Sequence, residues 1–472
     1  MGGYKLLLER CLNVEVLMVL LVFLSSFAFY SMMFMRSPLI TGIDGPYYLI
    51  QVRGLLEGGT LPYGDPPFAF YLFALFALIL GDLTAGVKFG VSLFCSLSVV
   101  PMYLLVKRAS GESYGGYLAT VLLAFSASFV RMLSDFMKNA VGVFFLISFF
   151  YLMHRLAFDG WSLRRFSLAV ASLILTGLTH ILDLGVALLY LAVYSIVILA
   201  LNVNRREYAK ASGLMGLSVA MFITATALYS PFLFSDYNKI LSFFEDLSSV
   251  GGEQPTIPVF IPHPRGPRLP MSWLMLALIL LAGFLTSIYE WKRRLKESFA
   301  QSIVMTIIGA SLGFPLIPIM WLWRFMLMEF IPSAVILSHG LTEFRRLLKG
   351  ESLPAAVTAV GCLSIFIIQS VNVAASVRPT ISYPAYLDLV DMKGEIPQNS
   401  VVIAPMWIKY WVEFVDGVDV ARKPTVDLWS SYSHVLVLFD KDRPPPFVRG
   451  LRVLFIGRRL ALAELQERRP PG

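Results

Sequence analysis

The stretch Thr41–Tyr71, TGIDGPYYLIQVRGLLEGGTLPYGDPPFAFY, decides how the chain is read. It follows an apolar run from about Val14 to Met35. It gathers Asp44, Tyr47, Tyr48, Arg53, Glu57 and Asp65 into about thirty residues punctuated by Gly and Pro. A bilayer hydrocarbon core is about 30 Å thick, and about 20 apolar residues cross it as a helix. The run 14–35 is long enough to span and carries no clear small-residue cleavage site, so it reads as a retained helix. The stretch after it then lies at one bilayer face, with Asp44 held near its start by Gly42, Gly45 and Pro46. Two uses of that carboxylate stand side by side. It can cap the following helix, whose first turn suits Pro46, or it can do chemistry.

The composition is that of a membrane protein. Hydrophobic residues make up 57% of the 472 residues, charged residues 15%, and the mean hydropathy is +0.70. Soluble domains carry about 25% charged residues. The three cysteines, Cys11, Cys95 and Cys362, are scattered in or beside apolar runs and suggest neither a disulfide framework nor a metal site.

Working outward from the stretch, apolar runs fall near residues 15–34, 85–106, 116–133, 140–154, 167–180, 183–201, 211–232, 272–290, 299–319, 321–340 and 353–372, an expectation of eleven spans. The run Phe68–Leu80 is thirteen residues, too short to cross, and reads as an interfacial helix or a lead-in to the next span. Basic clusters occur at every second connection. Lys107-Arg108, Arg155 with Arg164-Arg165, Arg205-Arg206, Lys292-Arg293-Arg294-Lys296 and Arg345-Arg346-Lys349 share a side with Lys5 and Arg10. Positive charge marks the cytoplasmic side. The net charge of +8 is therefore an orientation signal with anionic-lipid contacts, and no nucleic-acid partner is expected. The chain reads as a multi-pass cell-membrane protein with a cytoplasmic amino terminus.

The opposite face collects the unusual polar groups: Asp44, the turn RMLSDFMKN (Arg131–Asn139), THILD (Thr179–Asp183), a long loop over about 233–271, and the WLWR end of a helix at Trp321–Arg324. After about Val377 the composition shifts. Ser400–Pro405, Val435–Phe439 and Val453–Ile456 read as strands, and Trp407–Val415 and Arg459–Arg468 as helices. The expected organisation is a mainly α transmembrane bundle, residues 1–376, with external loops 35–84 and 233–271, followed by a small extracytoplasmic α/β domain, residues 377–472.

The loop GIDGPYY, RGLLEGG and PYGDPPFAFY, with the order of spans, the second acidic turn and the late arginine, resembles the GT-C membrane glycosyltransferases. It is most similar to archaeal and bacterial relatives of the oligosaccharyltransferase catalytic subunit and to the protein mannosyltransferases. The resemblance implies a transferase that moves a sugar from a polyprenyl-phosphate or pyrophosphate carrier to a protein, lipid or glycan acceptor at the extracytoplasmic face. It implies Asp44 as the essential aspartate of the first loop and Asp135 as the acid of the second, with Lys138 beside it as a donor-phosphate-binding cation. That second loop carries two acids in oligosaccharyltransferases, but here Leu133 and Met137 flank Asp135. Two readings follow: a divalent metal (Mg or Mn) held by Asp44 and Asp135, or no metal. Arg324, in WRF, would neutralise the donor phosphate through its planar fork of donors, or snorkel beside the tryptophans. Tyr47, Tyr48, Arg53, Asn139, His180, His263 and Arg265 complete the substrate-facing candidates. Glu329 is expected to make a structural hydrogen bond. The tail segment APMWIKYWVEF (Ala404–Phe414) has aromatics but no WWDYG-type acceptor motif, which argues against an Asn sequon as acceptor. A lipid or polysaccharide transporter and a non-catalytic scaffold are the alternatives. A transporter predicts ionisable groups near the midplane and paired repeats, whereas the acids here cluster at one face.

Overall fold

In a computed structural model of the chain, each of the eleven apolar runs falls on one or two helices, as far as its residues are described. The structure describes residues 14–229, 242–243, 245–247, 269–348, 352–445, 448 and 451–465. Among them, seven helices are long and apolar enough to cross a membrane, and nine if each of two bent pairs counts as one span. The bent pairs are Ser113–Ala124 with Ala127–Asp135, at 45°, and Trp321–Leu327 with Phe330–Leu347, at 40°. The two remaining runs, Leu163–Thr179 and Lys296–Leu312, are helices of 17 residues each. That is about 26 Å, at the short limit for a crossing. The described residues thus hold seven to nine candidate spans, where the sequence reading expects eleven. Phe68–Leu80 is a separate helix of 13 residues. The chain is a multi-pass membrane protein.

The chain divides into two compact units. The first comprises Met1–Met33, Tyr63–Ala69 and Phe89–Ser376. Its helices differ in how much of their apolar surface the protein covers. Buried residues make up 67% of the spanning window in Leu83–Ser110 and Met137–Phe158, but only 11% in Leu353–Ser376. A span apolar all round therefore presents most of its surface to lipid when it is peripheral, and packs the bundle when central. Small residues let neighbours close up: a Cβ on Gly283 would lie 2.4 Å from Thr306 Oγ1 of the facing helix. At the end of this unit that bears the basic clusters, polar groups are paired. Arg108 hydrogen-bonds Asp159 at 2.8 Å and forms an ion pair with Glu297 at 2.9 Å, His154 Nδ1 meets Tyr194 Oη at 2.7 Å, and His339 Nδ1 meets Glu290 Oε1 at 3.0 Å.

The second unit comprises Phe34–Pro62, Phe70–Lys88 and Val377–Gly472. Its centre is a five-stranded sheet in the order β2-β1-β3-β5-β4, with β1 Ser400–Ile403, β2 Asp419–Ala421, β3 His434–Asp440, β4 Arg452–Ile456 and β5 Leu460–Glu464. β1 pairs in parallel with β2 and β3, and β5 runs antiparallel to β3 and β4. The helix expected at Arg459–Arg468 is instead strand β5, as far as the described residues reach. Leu, Ala and Glu favour a helix only weakly, and backbone pairing on both sides, Leu438 with Leu462 and Ile456 with Ala461, outweighs that preference. Asp388 ties the helix Tyr383–Met392 to the turn before β5. Its carboxylate accepts from the amides of Arg458, Arg459 and Leu460 at 2.7, 2.6 and 2.9 Å. Burial pushes this carboxyl up, but the three amides and Arg458 outweigh it and hold the group below its ordinary range.

Asp416, at the end of the helix Lys409–Asp416, has the opposite character. It is 8% exposed, and neither carboxylate oxygen has a hydrogen-bond partner. Burial pushes its carboxyl up to about 7, against the pull of Lys393. An unfolded aspartate titrates near ~3.9. Below that value both states hold the proton. The folded state is penalised progressively as pH rises towards about 7, by about 4 kcal/mol in all. Amide exchange in residues 409–416, corrected for intrinsic rates, should therefore be slower at acidic than at alkaline pH, and Asp416→Asn should remove the difference. Exchange independent of pH in the parent would contradict this.

Candidate functional site

The helix Met137–Phe158 organises the polar end of the first unit. The helix before it ends at Asp135, and Phe136, with φ −133° and ψ 60°, breaks the ladder between them. Asp135 therefore lies at the end of one helix while Lys138 and Asn139 fall in the first turn of the next. All three are buried, at 6%, 7% and 4% exposure. Asp135 Oδ2 accepts from Arg131 Nε at 2.5 Å, one turn earlier. Lys138 donates to Asp65 Oδ1, another buried carboxylate, supplied by the loop Tyr63–Ala69. A lysine taken out of water needs such a partner. The charge of Lys138 is committed to Asp65, a pairing that the sequence, 73 residues apart, does not announce.

Asn139 faces Asp183. In the orientation that satisfies both side chains, its amide nitrogen donates to Asp183 Oδ1 at 2.7 Å and Oδ2 at 3.1 Å. Asp183 is fully buried in the first turn of the helix Ile181–Ala200. Gly142 makes this approach feasible, since a Cβ there would stand 2.1 Å from Asp183 Oδ2. His180, extended at φ −158°, breaks the chain between two helices, with Nδ1 3.8 Å from Asp183 Oδ2. Asp65, Arg131, Asp183 and Gly142 thus join the candidates. The carboxylates were visible in DPP and THILD, but their partners were not.

Arg324 belongs to the same unit. It is exposed on the short helix Ile319–Leu327, its guanidinium 5.7 Å from the Trp321 ring and 5.5 Å from the Trp323 ring. Trp323 packs on Phe136, the residue after Asp135, with ring centroids 5.3 Å apart. Trp321 donates from Nε1 to Asp246 Oδ2 at 2.8 Å. The arginine helix and the Asp135 turn are therefore neighbours. His154 and Arg155 occupy the far end of the 22-residue helix Met137–Phe158, about 25 Å from Lys138. Glu329 departs from expectation: neither of its oxygens makes a hydrogen bond.

Asp44 belongs to the second unit. It occupies the N-cap position of the helix Gly45–Gly58, with Pro46 in the first turn as the sequence suggests. Its side chain makes no cap bond, and the backbone alone, Asp44 O to Tyr48 N at 3.2 Å, starts the helix. Gly42, at φ 81°, adopts the left-handed conformation that glycine tolerates. It bridges to Pro379. Tyr47 is half-buried, accepting from Gln51 Nε2 at 3.0 Å, its ring 5.4 Å from Tyr410. Tyr48, 2% exposed between Phe70 and Phe73, is a core ring rather than a sugar-facing one. Arg53 is likewise a clamp. Its Nη1 donates to Phe414 O at 2.7 Å and its guanidinium covers the Phe414 ring at 4.8 Å, fixing this helix to Lys409–Asp416. His263 and Arg265 lie outside the described residues.

Among the described residues, no three His, Cys, Asp or Glu side chains group as a metal site. Asp135 already carries a guanidinium, and hard cations need several oxygen ligands. The described residues do not fit the divalent metal considered from sequence, and no step is derived through one.

Residues 64–230 match the family model described as dolichyl-phosphate-mannose-protein mannosyltransferase. No curated protein matches the chain by sequence. Several solved structures share its fold, among them the following three. The oligosaccharyltransferase of Archaeoglobus fulgidus in the apo form is 15% identical with a TM-score of 0.62, over 89% of this chain and 69% of that one. The archaeal oligosaccharyltransferase AglB of Archaeoglobus fulgidus, with an inhibitory peptide and a dolichol-phosphate, gives 14% identity and a TM-score of 0.60, over 89% of this chain and 69% of that one. ArnT of Cupriavidus metallidurans in the apo state is 12% identical with a TM-score of 0.60, over 96% of this chain and 98% of that one.

Proposed function

We propose that this chain, a multi-pass membrane protein with the GT-C glycosyltransferase fold, moves a sugar from a polyprenyl-phosphate or pyrophosphate carrier to an acceptor at the extracytoplasmic face. One observation carries the reading. The segment matched by the mannosyltransferase family model, residues 64–230, is the one that builds the buried Asp65–Lys138, Arg131–Asp135 and Asn139–Asp183 cluster at one end of an apolar bundle. A dolichol-phosphate on AglB, a protein of the same fold, agrees with a lipid-borne donor.

The chemistry follows from charge. An acceptor hydroxyl or amide attacks the anomeric carbon, the new glycosidic bond forms, and the bond from that carbon to the phosphate oxygen breaks. The electron pair leaves with the phosphate, whose added negative charge Arg324 neutralises. The acceptor proton passes to Asp44. Asp135, oriented by Arg131, hydrogen-bonds the sugar. Arg53 and Tyr47 hold the helix that begins at Asp44. The carrier confines the donor to one leaflet and raises its effective concentration there. The basic connections then face the cytoplasm, and the β-sheet of the second unit lies outside.

The test is transfer of label in membranes from a set of lipid-linked sugars, with the product identified. Arg324→Ala should raise the donor KM by about 10- to 100-fold, the value of a charge-assisted hydrogen bond, with Arg324→Lys recovering part. Failure of every lipid-linked donor to give product would overturn the reading.

A further inference from the structure

Glu329 sits where the broken span bends, between Ile319–Leu327 and Phe330–Leu347. It is 9% exposed, and neither Oε1 nor Oε2 has a hydrogen-bond partner. It stands at the N-cap of Phe330–Leu347 without capping it. What it faces is the bare backbone of another helix. A Cβ built on Gly309 would stand 3.3 Å from Oε2, and one on Gly313 3.6 Å from Oε1. Gly309 and Gly313 are one turn apart at the carboxyl end of Lys296–Leu312. Leu276, Leu280 and Pro332 close the apolar sides: their carbons lie 2.1, 3.0 and 3.7 Å from the same two Cβ positions.

This combination is unfavourable as it stands. An ionised carboxylate within the depth of a membrane is costly. A helix carboxyl terminus carries the negative end of the macrodipole and presents carbonyls without intrahelical partners. Here the amides of Gly313 and Phe314 return to Gly309 and Ser311 only. The buried, unpartnered carboxylate thus abuts a helix carboxyl terminus, and the two glycines remove the side chains that would fill the space between. A carboxylate at a helix carboxyl end suits a small cation, the arrangement that broken membrane helices use to hold alkali ions.

We propose that Glu329, with the last turn of Lys296–Leu312, binds a small monovalent alkali cation. The ion neutralises the carboxylate and fixes the bend that follows the helix bearing Arg324. The site is independent of the proposed reaction, and its test does not use sugar transfer.

The purified full chain in detergent is titrated with LiCl, NaCl or KCl against choline chloride at equal ionic strength and fixed pH, and its thermal unfolding midpoint is followed. At least one alkali cation should raise the midpoint by a few degrees, saturably, as expected for a ligand of the folded state. Glu329→Gln should abolish the saturable rise, while Asp82→Asn, in the other unit, should retain it. Gly309→Ala keeps the acid but crowds the niche and should weaken the response. Retention of radioactive sodium or rubidium by the parent protein gives a readout that requires no variant. Superimposable alkali and choline curves with no ion retained would overturn the site. So would a response undiminished in a folded Glu329→Gln, or a midpoint that follows pH alone.

Discussion

Asp44→Asn should lower sugar transfer by about 10²- to 10⁴-fold while leaving the protein folded, the range over which a positioned general base contributes. The substitution keeps size and hydrogen-bonding shape but removes the ability to take a proton. An N-cap role alone would not produce this result, because Asn caps a helix as well as Asp does. The structure sharpens the contrast, since the Asp44 side chain makes no cap bond and the helix start rests on Pro46 and the backbone. Transfer is measured with labelled donor in membranes normalised for protein amount, alongside the unfolding midpoint. Parental turnover in Asp44→Asn would remove it from the reaction. A fall in both activity and midpoint would point to a scaffold role.

Asp65→Leu should destabilise the first unit by about 3–5 kcal/mol, the cost of leaving a buried charge without its counterion. Lys138 is 7% exposed and donates to Asp65, itself 5% exposed. Removing the carboxylate takes away the counterion that Lys138 donates to. The double substitution Asp65→Leu with Lys138→Met should recover most of the loss, because a buried ion pair replaced by apolar residues of similar volume is often neutral. Denaturant unfolding of the parent, both single variants and the double variant forms the cycle. Additive losses would mean that the two residues act separately.

The candidate site was legible in part. Asp44 and Asp135 stand out as candidates because a carboxylate bounded by glycine or by apolar runs is conspicuous where few charges occur. The adjacency of the Arg324 helix to the Asp135 turn was expected only from side assignment, and it is the Phe136–Trp323 contact that makes them neighbours. Arg53 and Tyr48 were read as substrate-facing because polar and aromatic groups in a loop suggest ligands. Packing assigns one to Phe414, 361 residues away, and the other to a ring cluster. Glu329 was given a hydrogen bond because buried acids ordinarily have one.

By itself the sequence determined that the chain is a multi-pass membrane protein and that a small segment with strands follows the apolar runs. These follow from hydropathy and charge summed over local windows, and a bilayer acts on such sums. Only the tertiary structure decided that Lys138 belongs to Asp65, that residues 460–464 pair as a strand, and that Glu329 rests against Gly309 and Gly313. Each depends on which distant groups meet once helices pack and strands pair. The energy of a buried charge or an unpaired amide lies in that meeting, and no local window contains it.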